Sequence, residues 1–323
     1  MTIKGIICMV RGGIHMKYDG WTIDNIDDLT GKVIIVTGGN SGLGFESTRI
    51  FAMKGATTIL AARNEQRGTD AVNKIKKEFP NATIELMLLD LGDAESVKSF
   101  ATTFTTKYKQ LDILLNNAGI MTTPYNSTKQ GFESQIGVNH LGHFLLTSLL
   151  FETVKNTKGS RIVNTASIAH KAGKINLDSF KFVEGGKYRK MKAYSQSKLS
   201  NLLFTYELAK KVQEQKLDVL ILASHPGVSN TNLGRHLKGG FVGWMSKVVS
   251  STIAHSQYHG ALPGVRAATD TLAETGTYYG PDGLFGFKGK PVVAKSTKRS
   301  HDKELANKLW VASEKFVNQP FSI

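Results

Sequence analysis

The chain has 323 residues, 41% hydrophobic and 21% charged, the make-up of a globular protein with room for one large α/β domain. Its apolar runs, such as Val33–Val36 and Ile113–Leu115, are far too short to cross a bilayer, and a lone cysteine, Cys8, excludes an internal disulfide framework or a thiolate metal cluster and points to a reducing cytoplasm. The formal charge of +15, from 41 Lys and Arg against 26 Asp and Glu, is scattered without an aromatic-interleaved stripe, so it predicts solubility and attraction of small anions rather than a nucleic-acid partner.

Residues 1–16 hold a short apolar core between Lys4 and Arg11, too short for a signal peptide and without a small-residue cleavage pattern. They are expected to form a poorly ordered tail, or to precede a natural start at Met16. Residues 17–30, with Trp21 and Leu29, are expected to pack on the domain as a lead-in. Strand Val33–Thr37, helix Phe45–Met53, strand Thr57–Ala61 and helix Asn64–Phe79 follow, the last with Ala71, Val72, Ile75 and Phe79 on one side. Strand Ile84–Leu89, helix Ala94–Tyr108, strand Ile113–Asn116 and helix Phe132–Val154 come next. The series ends with strand Arg161–Thr165, helix Tyr194–Gln213, strand Asp218–Ala223, helix Gly260–Ala273 and a Gly-rich stretch, Gly276–Gly289. Continuous apolar strands alternating with helices predict a parallel sheet covered on both faces. No linker or composition break divides it, so residues 17–323 read as a single doubly wound Rossmann-type α/β domain.

The turn Thr37-Gly38-Gly39-Asn40-Ser41-Gly42-Leu43-Gly44 leaves the first strand and opens a helix. In that context Gly38 permits a sharp exit, while Gly42 and Gly44 let the backbone approach a diphosphate at the positive helix end. A site that prefers NAD carries an acid about twenty residues further on, to bind the ribose hydroxyls. Ala61, Ala62 and Arg63 stand there instead, and Arg63 suits a 2′-phosphate. NADP(H) is therefore the expected cofactor, with NAD(H) the alternative and a solvated Arg63 the reading that would favour it.

Tyr194 and Lys198 are four residues apart at what reads as a helix start, which places both side chains on one face about 5–6 Å apart. A free phenol has a pKa of about 10, and a neighbouring ammonium favours the phenolate. That turns a tyrosine into a proton-transfer group.

Together these residues resemble the short-chain dehydrogenase/reductase family over about residues 30–320. The turn fits its Thr-Gly-x-x-x-Gly-x-Gly pattern, and Asp90-Leu91 is similar to its adenine-contacting pair. Asn116-Asn117-Ala118-Gly119 resembles its Asn-Asn-Ala-Gly motif, and Asn139, Ser167, Tyr194 and Lys198 its catalytic tetrad. Pro226-Gly227-Val228 with Thr231 resembles the segment around the nicotinamide, and Asn64 follows Arg63 on the adenosine side. Finer features resemble the retinol dehydrogenase-like branch, among them Trp21, Asn139-His-Leu-Gly-His-Phe144, His225-Pro-Gly227 and Leu309-Trp310. Thr165-Ala166-Ser167 departs from the branch, which commonly has paired serines, and residues 1–16 contain no membrane helix. The second departure weakens an inference to membrane-held retinoid chemistry.

The resemblance implies an oxidoreductase that interconverts an aldehyde or ketone, lipophilic by expectation, and an alcohol. Tyr194 would exchange the proton, Ser167 polarise the same oxygen, Lys198 hold the nicotinamide ribose and lower the phenol's pKa, and Asn139 hold a water or cap backbone. The segment 231–260 would cover the substrate, with Trp244 and Met245 on one helical face, although the same face equally suits core packing. A homodimer through the helices carrying Asn139 and Tyr194 is a further family expectation. No metal site is expected, because His140, His143, His170, His255 and His259 lack a His-Glu-x-x-His pattern or a completing carboxylate. The alternative function is a catalytically silent NADP(H)-sensing protein, which has no use for an acid/base.

Overall fold

Val33–Thr37 (β1) is buried at every position, as its apolar run Val33–Val36 requires of a strand covered on both faces. In the computed structural model, which describes residues 20–185, 187–228 and 256–323, it lies inside an eight-stranded sheet of order β3-β2-β1-β4-β5-β6-β7-β8. The other strands are Thr57–Ala62 (β2), Ile84–Leu88 (β3), Ile113–Asn116 (β4), Ser160–Thr165 (β5), Val219–Ser224 (β6), Tyr278–Pro281 (β7) and Pro291–Val293 (β8). All neighbours pair in parallel except β7 with β8. The tail, 1–16, and most of the expected cover segment, including Thr231, Trp244 and Met245, lie outside the described residues.

Alternate residues of β1 feed two cores. Val33 and Ile35 join Phe100 and Phe104 of α3 (Ala94–Lys107), Phe144 and Phe151 of α4 (Gly142–Lys155), and Leu208 of α5 (Lys190–Glu214). Ile34 and Val36 join Phe51 of α1 (Gly42–Met53) and Val265 of α6 (Gln257–Thr269), together with Trp21, Ile26 and Leu29 of the lead-in. The face of α2 (Glu65–Glu78) buries Ala71 and Ile75 against Leu60, with Val72 and Phe79 at its margin. A final helix, α7 (Lys303–Val317), brings Trp310 to the first core, where it stacks on Phe321 at 4.8 Å.

Three departures from the sequence expectation have local causes. The Gly-rich stretch contains β7, and β8 follows it as an antiparallel edge. Arg266 of α6 binds Asp270 at 2.8 Å and the Pro291 carbonyl of β8 at 2.7 Å, and its guanidinium lies 5.7 Å from the Tyr279 ring centre of β7. The helix expected over 132–154 is broken into a turn, Ser134–Ile136, a π-helical segment, Gly137–Leu141, and α4. Glycines bracket that segment because a Cβ at 137 would stand 2.2 Å from the Thr128 methyl and one at 142 only 2.3 Å from the Leu91 carbonyl. Finally, α5 begins at Lys190, so Tyr194 lies inside the helix rather than at its start.

Strand order reverses between β1 and β4, with β2 and β3 on one side and β5 to β7 on the other. In such sheets the crevice at the carboxyl ends of the strands, at that switch point, is where ligands sit.

Candidate functional site

A cavity of about 390 Å³ occupies that crevice, and most of the residues singled out in the sequence line it. Thr37 ties its two central strands together: its hydroxyl oxygen accepts from Asn117 N and Ala118 N, both at 2.9 Å, and its carbonyl accepts from Asn117 Nδ2 at 2.8 Å. Gly38 and Gly42 have φ of +66° and +59°, which a side chain disfavours. Gly44 is required by proximity, since a Cβ there would lie 2.2 Å from the Gly38 carbonyl and 2.6 Å from Asn117 Nδ2.

Ser41 starts α1 without a side-chain cap, and Asn40, Ser41, Gly42, Leu43 and Gly44 all border the cavity. The first-turn N–H groups are thus left to a ligand, and the positive end of the helix selects an anion. Along the cavity, β2 supplies Ala61 and Ala62, followed by Arg63 and Asn64; the next segments supply Asp90, Leu91 and Gly119. Asn64 is spent on capping α2 through Arg67 N, at 2.9 Å. Shape, donors and charge here fit a dinucleotide.

Tyr194 and Lys198 border the same cavity beside Thr165, Ala166 and Pro226. Both are buried, and the Lys198 ammonium sits 5.9 Å from the Tyr194 ring centre. Its Nζ donates to the Thr165 carbonyl at 2.9 Å. Ser167 follows β5 by two residues, lies near enough to the Tyr194 phenol to favour its ionised form, and accepts from Ala169 N at 3.2 Å. Burial raises the phenol's pKa above its ordinary value, and Ser167 opposes that rise. Burial likewise lowers Lys198 to about 8. The lysine was expected to depress the phenol, yet in this pocket desolvation acts on both groups and serine supplies the counterforce.

Asn139 is buried in the π-helical segment and does not line the cavity. Its Oδ1 accepts from Ile120 N at 2.8 Å, and its amide donates to the Ile120 carbonyl and to Ser197 Oγ, each at 2.9 Å. The side chain therefore clamps the loop after β4 onto α5. His143 extends the clamp. Thr37 Oγ1 already accepts two N–H bonds, so its hydrogen goes to His143 Nε2 at 2.9 Å, and His143 Nδ1–H donates to the Asn139 carbonyl at 3.1 Å.

Gly227 and Val228 stand away from the cavity. A Cβ on Gly227 would come within 2.3 Å of the Phe287 carbonyl, which also accepts from Val228 N at 2.7 Å. Thr231, Trp244 and Met245 lie outside the described residues, as does His255. The sequence reading missed Arg67, which borders the cavity with Arg63. Their four-residue spacing across the start of α2 was the available signal. Ile120, Met121 and Val138 were missed as well, being apolar residues of irregular segments.

The histidines do other work. His140 Nε2 bonds Ser313 Oγ at 2.9 Å, and among the described residues no cluster of His, Cys, Asp and Glu could hold a metal. Burial lowers His140 and His225 to about 3 and His143 to about 4. An unfolded chain protonates these rings near pH 6.5 while the folded chain does not, so the stability they confer is complete above pH 6.5 and lost as pH falls toward 4. The melting temperature should drop by several degrees between pH 7.5 and pH 5; a flat profile would contradict the buried neutral assignment.

Comparison with known proteins agrees with this geometry. The profile of the family described as short chain dehydrogenase matches residues 32–239. Human retinol dehydrogenase 12 is 42% identical over 228 residues, 71% of each chain. Human retinol dehydrogenase 13 is 38% identical over 299 residues, 90% of this chain and 85% of that one. A crystal structure from Mycobacterium Paratuberculosis superposes with a TM-score of 0.78 at 36% identity, covering 94% of this chain and 100% of that one. Among the described residues no helix is long and apolar enough to cross a membrane. With a matched sequence profile and relatives at this level of identity, the chain belongs to the short-chain dehydrogenase/reductase family and, within it, to the retinol dehydrogenase-like branch.

Proposed function

We propose that the protein is an NADP(H)-dependent oxidoreductase that interconverts a lipophilic aldehyde or ketone and its alcohol, with Tyr194 as the acid/base. The observation that carries this reading is the convergence of Tyr194 and Lys198 on the cavity that also holds the Gly38–Gly44 turn. A bound nicotinamide supplies or accepts the hydride; the chain's own groups manage position and proton.

Tyr194 donates its phenolic proton to the carbonyl oxygen during reduction and removes the alcohol proton in the reverse direction. Ser167 has one hydroxyl hydrogen, which faces the phenol in the empty site and is donated to the substrate oxygen as charge develops on it. Lys198, charged below about pH 8, adds a cation behind the phenol and is placed to bind ribose hydroxyls. Asn139 keeps the loop after β4 and α5 in register through its side chain. The names of the relatives support a lipophilic substrate, and the single cysteine supports a reducing, cytoplasmic setting.

Arg63 and Arg67 support NADP(H), since no carboxylate stands at the end of β2 to accept ribose hydroxyls. A panel of aldehydes and ketones, followed by nicotinamide absorbance, tests the reading. Wild-type kcat/KM should favour NADPH over NADH, and replacing both arginines with Ala should cost about 10–100-fold with NADPH and far less with NADH. A clear NADH preference in the wild type would refute the arginine assignment.

A further inference from the structure

The mechanism above makes no use of His143, yet its ring is 2% exposed and bonded through both nitrogens. The residue lies in the first turn of α4, and Phe144, Leu145 and Leu146, which follow it, are buried and apolar. An imidazole in such surroundings is costly unless each nitrogen finds a partner, and packing alone would favour an apolar side chain. The pairing is also specific. The Asn139 carbonyl only accepts, so Nδ1 carries the hydrogen and Nε2 of the neutral ring is left as an acceptor for Thr37 Oγ1. The Leu115 carbonyl, at 3.4 Å against 2.9 Å, is the poorer acceptor for that hydroxyl. Burial holds the ring in its neutral form.

Each partner is the hub of one half of the site. Thr37 ends β1, directly before the Gly38–Gly44 turn, and its two oxygens tie Asn117 and Ala118 to that turn. Asn139 clamps Ile120 and bonds Ser197 Oγ, which in turn donates to the Tyr194 carbonyl at 2.8 Å. Gly119 lies between these clamps: a Cβ there would stand 3.3 Å from Asn139 Oδ1 and 3.4 Å from Lys198 Nζ. The loop after β4 is thus pinned at one end to the cofactor turn and at the other to the helix of Tyr194 and Lys198. His143 joins the two hubs by a second route that does not pass along the loop. It does not border the dinucleotide cavity, so any effect it has on the reaction acts through these neighbours.

We propose that His143 is a positioning residue for hydride transfer: its two hydrogen bonds fix the phosphate-binding turn relative to the helix of Tyr194, and so set where a bound nicotinamide meets the phenol. The inference rests on the carbonyl–alcohol reading above. A misplacement of about 1 Å between reacting groups costs up to about 100-fold in rate. Replacing the ring with leucine takes this partner from the Thr37 hydroxyl and the Asn139 carbonyl. Thr37 keeps its bonds to Asn117 and Ala118, so the turn itself stays formed and its N–H groups stay available to a diphosphate.

The test is a single turnover in stopped flow. Enzyme loaded with NADPH is mixed with an excess of an accepted aldehyde, and the rate of NADPH consumption is read apart from its amplitude. In His143→Leu the rate should fall by about 10–100-fold, with the amplitude per NADPH-binding site unchanged and NADPH affinity within about threefold. His143→Gln, whose amide carries both a donor and an acceptor, should return the rate to within about fivefold of the wild type. If His143→Leu does not fold, His143→Asn takes its place: it keeps a donor for the Asn139 carbonyl, falls short of Thr37, and should show the same loss of rate. A role in folding alone would shrink the amplitude and leave the rate, and that result overturns the proposal. So does a wild-type rate in His143→Leu or its substitute, a His143→Gln equally slow, or an NADPH affinity lost in step with the rate. No NADPH consumption by the wild type with any carbonyl compound overturns the proposed function, and the role of His143 with it.

Discussion

Tyr194→Phe is expected to lower turnover by about 10²–10⁴-fold while leaving NADPH affinity within a few-fold of the wild type. The substitution keeps the ring and its packing and removes only the phenolic oxygen. Tyr194 is buried beside Ser167. Loss of the hydroxyl therefore leaves Ser167 as the sole donor to the substrate oxygen, with no proton to hand over. The size of the effect follows from the range that positioned acid/base groups supply. Because the ring stays, the wall of the dinucleotide cavity stays too, so binding and turnover should separate cleanly in this variant. Near-normal turnover would remove Tyr194 from the mechanism; a parallel collapse of NADPH binding would make its role structural.

The second large effect is expected at Gly44. In Gly44→Ala the added methyl would stand 2.2 Å from the Gly38 carbonyl and 2.6 Å from Asn117 Nδ2. The first of these contacts is backbone on a strained turn and cannot yield by a side-chain rotation. Either the N-terminus of α1 moves away from β1 or the Asn117 amide gives up its bond to the Thr37 carbonyl. Both changes misplace the N–H groups offered to a diphosphate. Dinucleotide affinity should fall by about 100-fold or more, with a stability loss of about 1–3 kcal/mol from overpacking. Tight NADPH binding by a folded Gly44→Ala protein would show that the turn does not hold the phosphates.

Much of the fold was legible because its signals are local. Val33–Val36 and Ile113–Leu115 are unbroken apolar runs, as strands buried on both faces favour, and the Gly38–Gly44 turn announces a strand-to-helix junction. What stayed hidden depends on contacts distant in sequence. β7 and β8 are short, glycine-flanked and packed against Arg266 of α6, so nothing in their own residues marks them as strands. The π-helical segment at Gly137–Leu141 follows from close approach to Thr128 and Leu91, which periodicity does not register. The candidate site divides in the same way. Tyr194 and Lys198 could be paired from spacing alone, whereas the upward pull on the phenol comes from burial, which exists only in the folded protein.

Hydride transfer itself can be followed with NADPH carrying deuterium at both positions of the reactive nicotinamide carbon. Mass spectrometry of the alcohol formed from an accepted aldehyde should find one deuterium on the carbinol carbon per cofactor consumed. An alcohol without deuterium, or bound cofactor that is never consumed with any carbonyl compound, would contradict the assignment of this chain as a carbonyl–alcohol oxidoreductase.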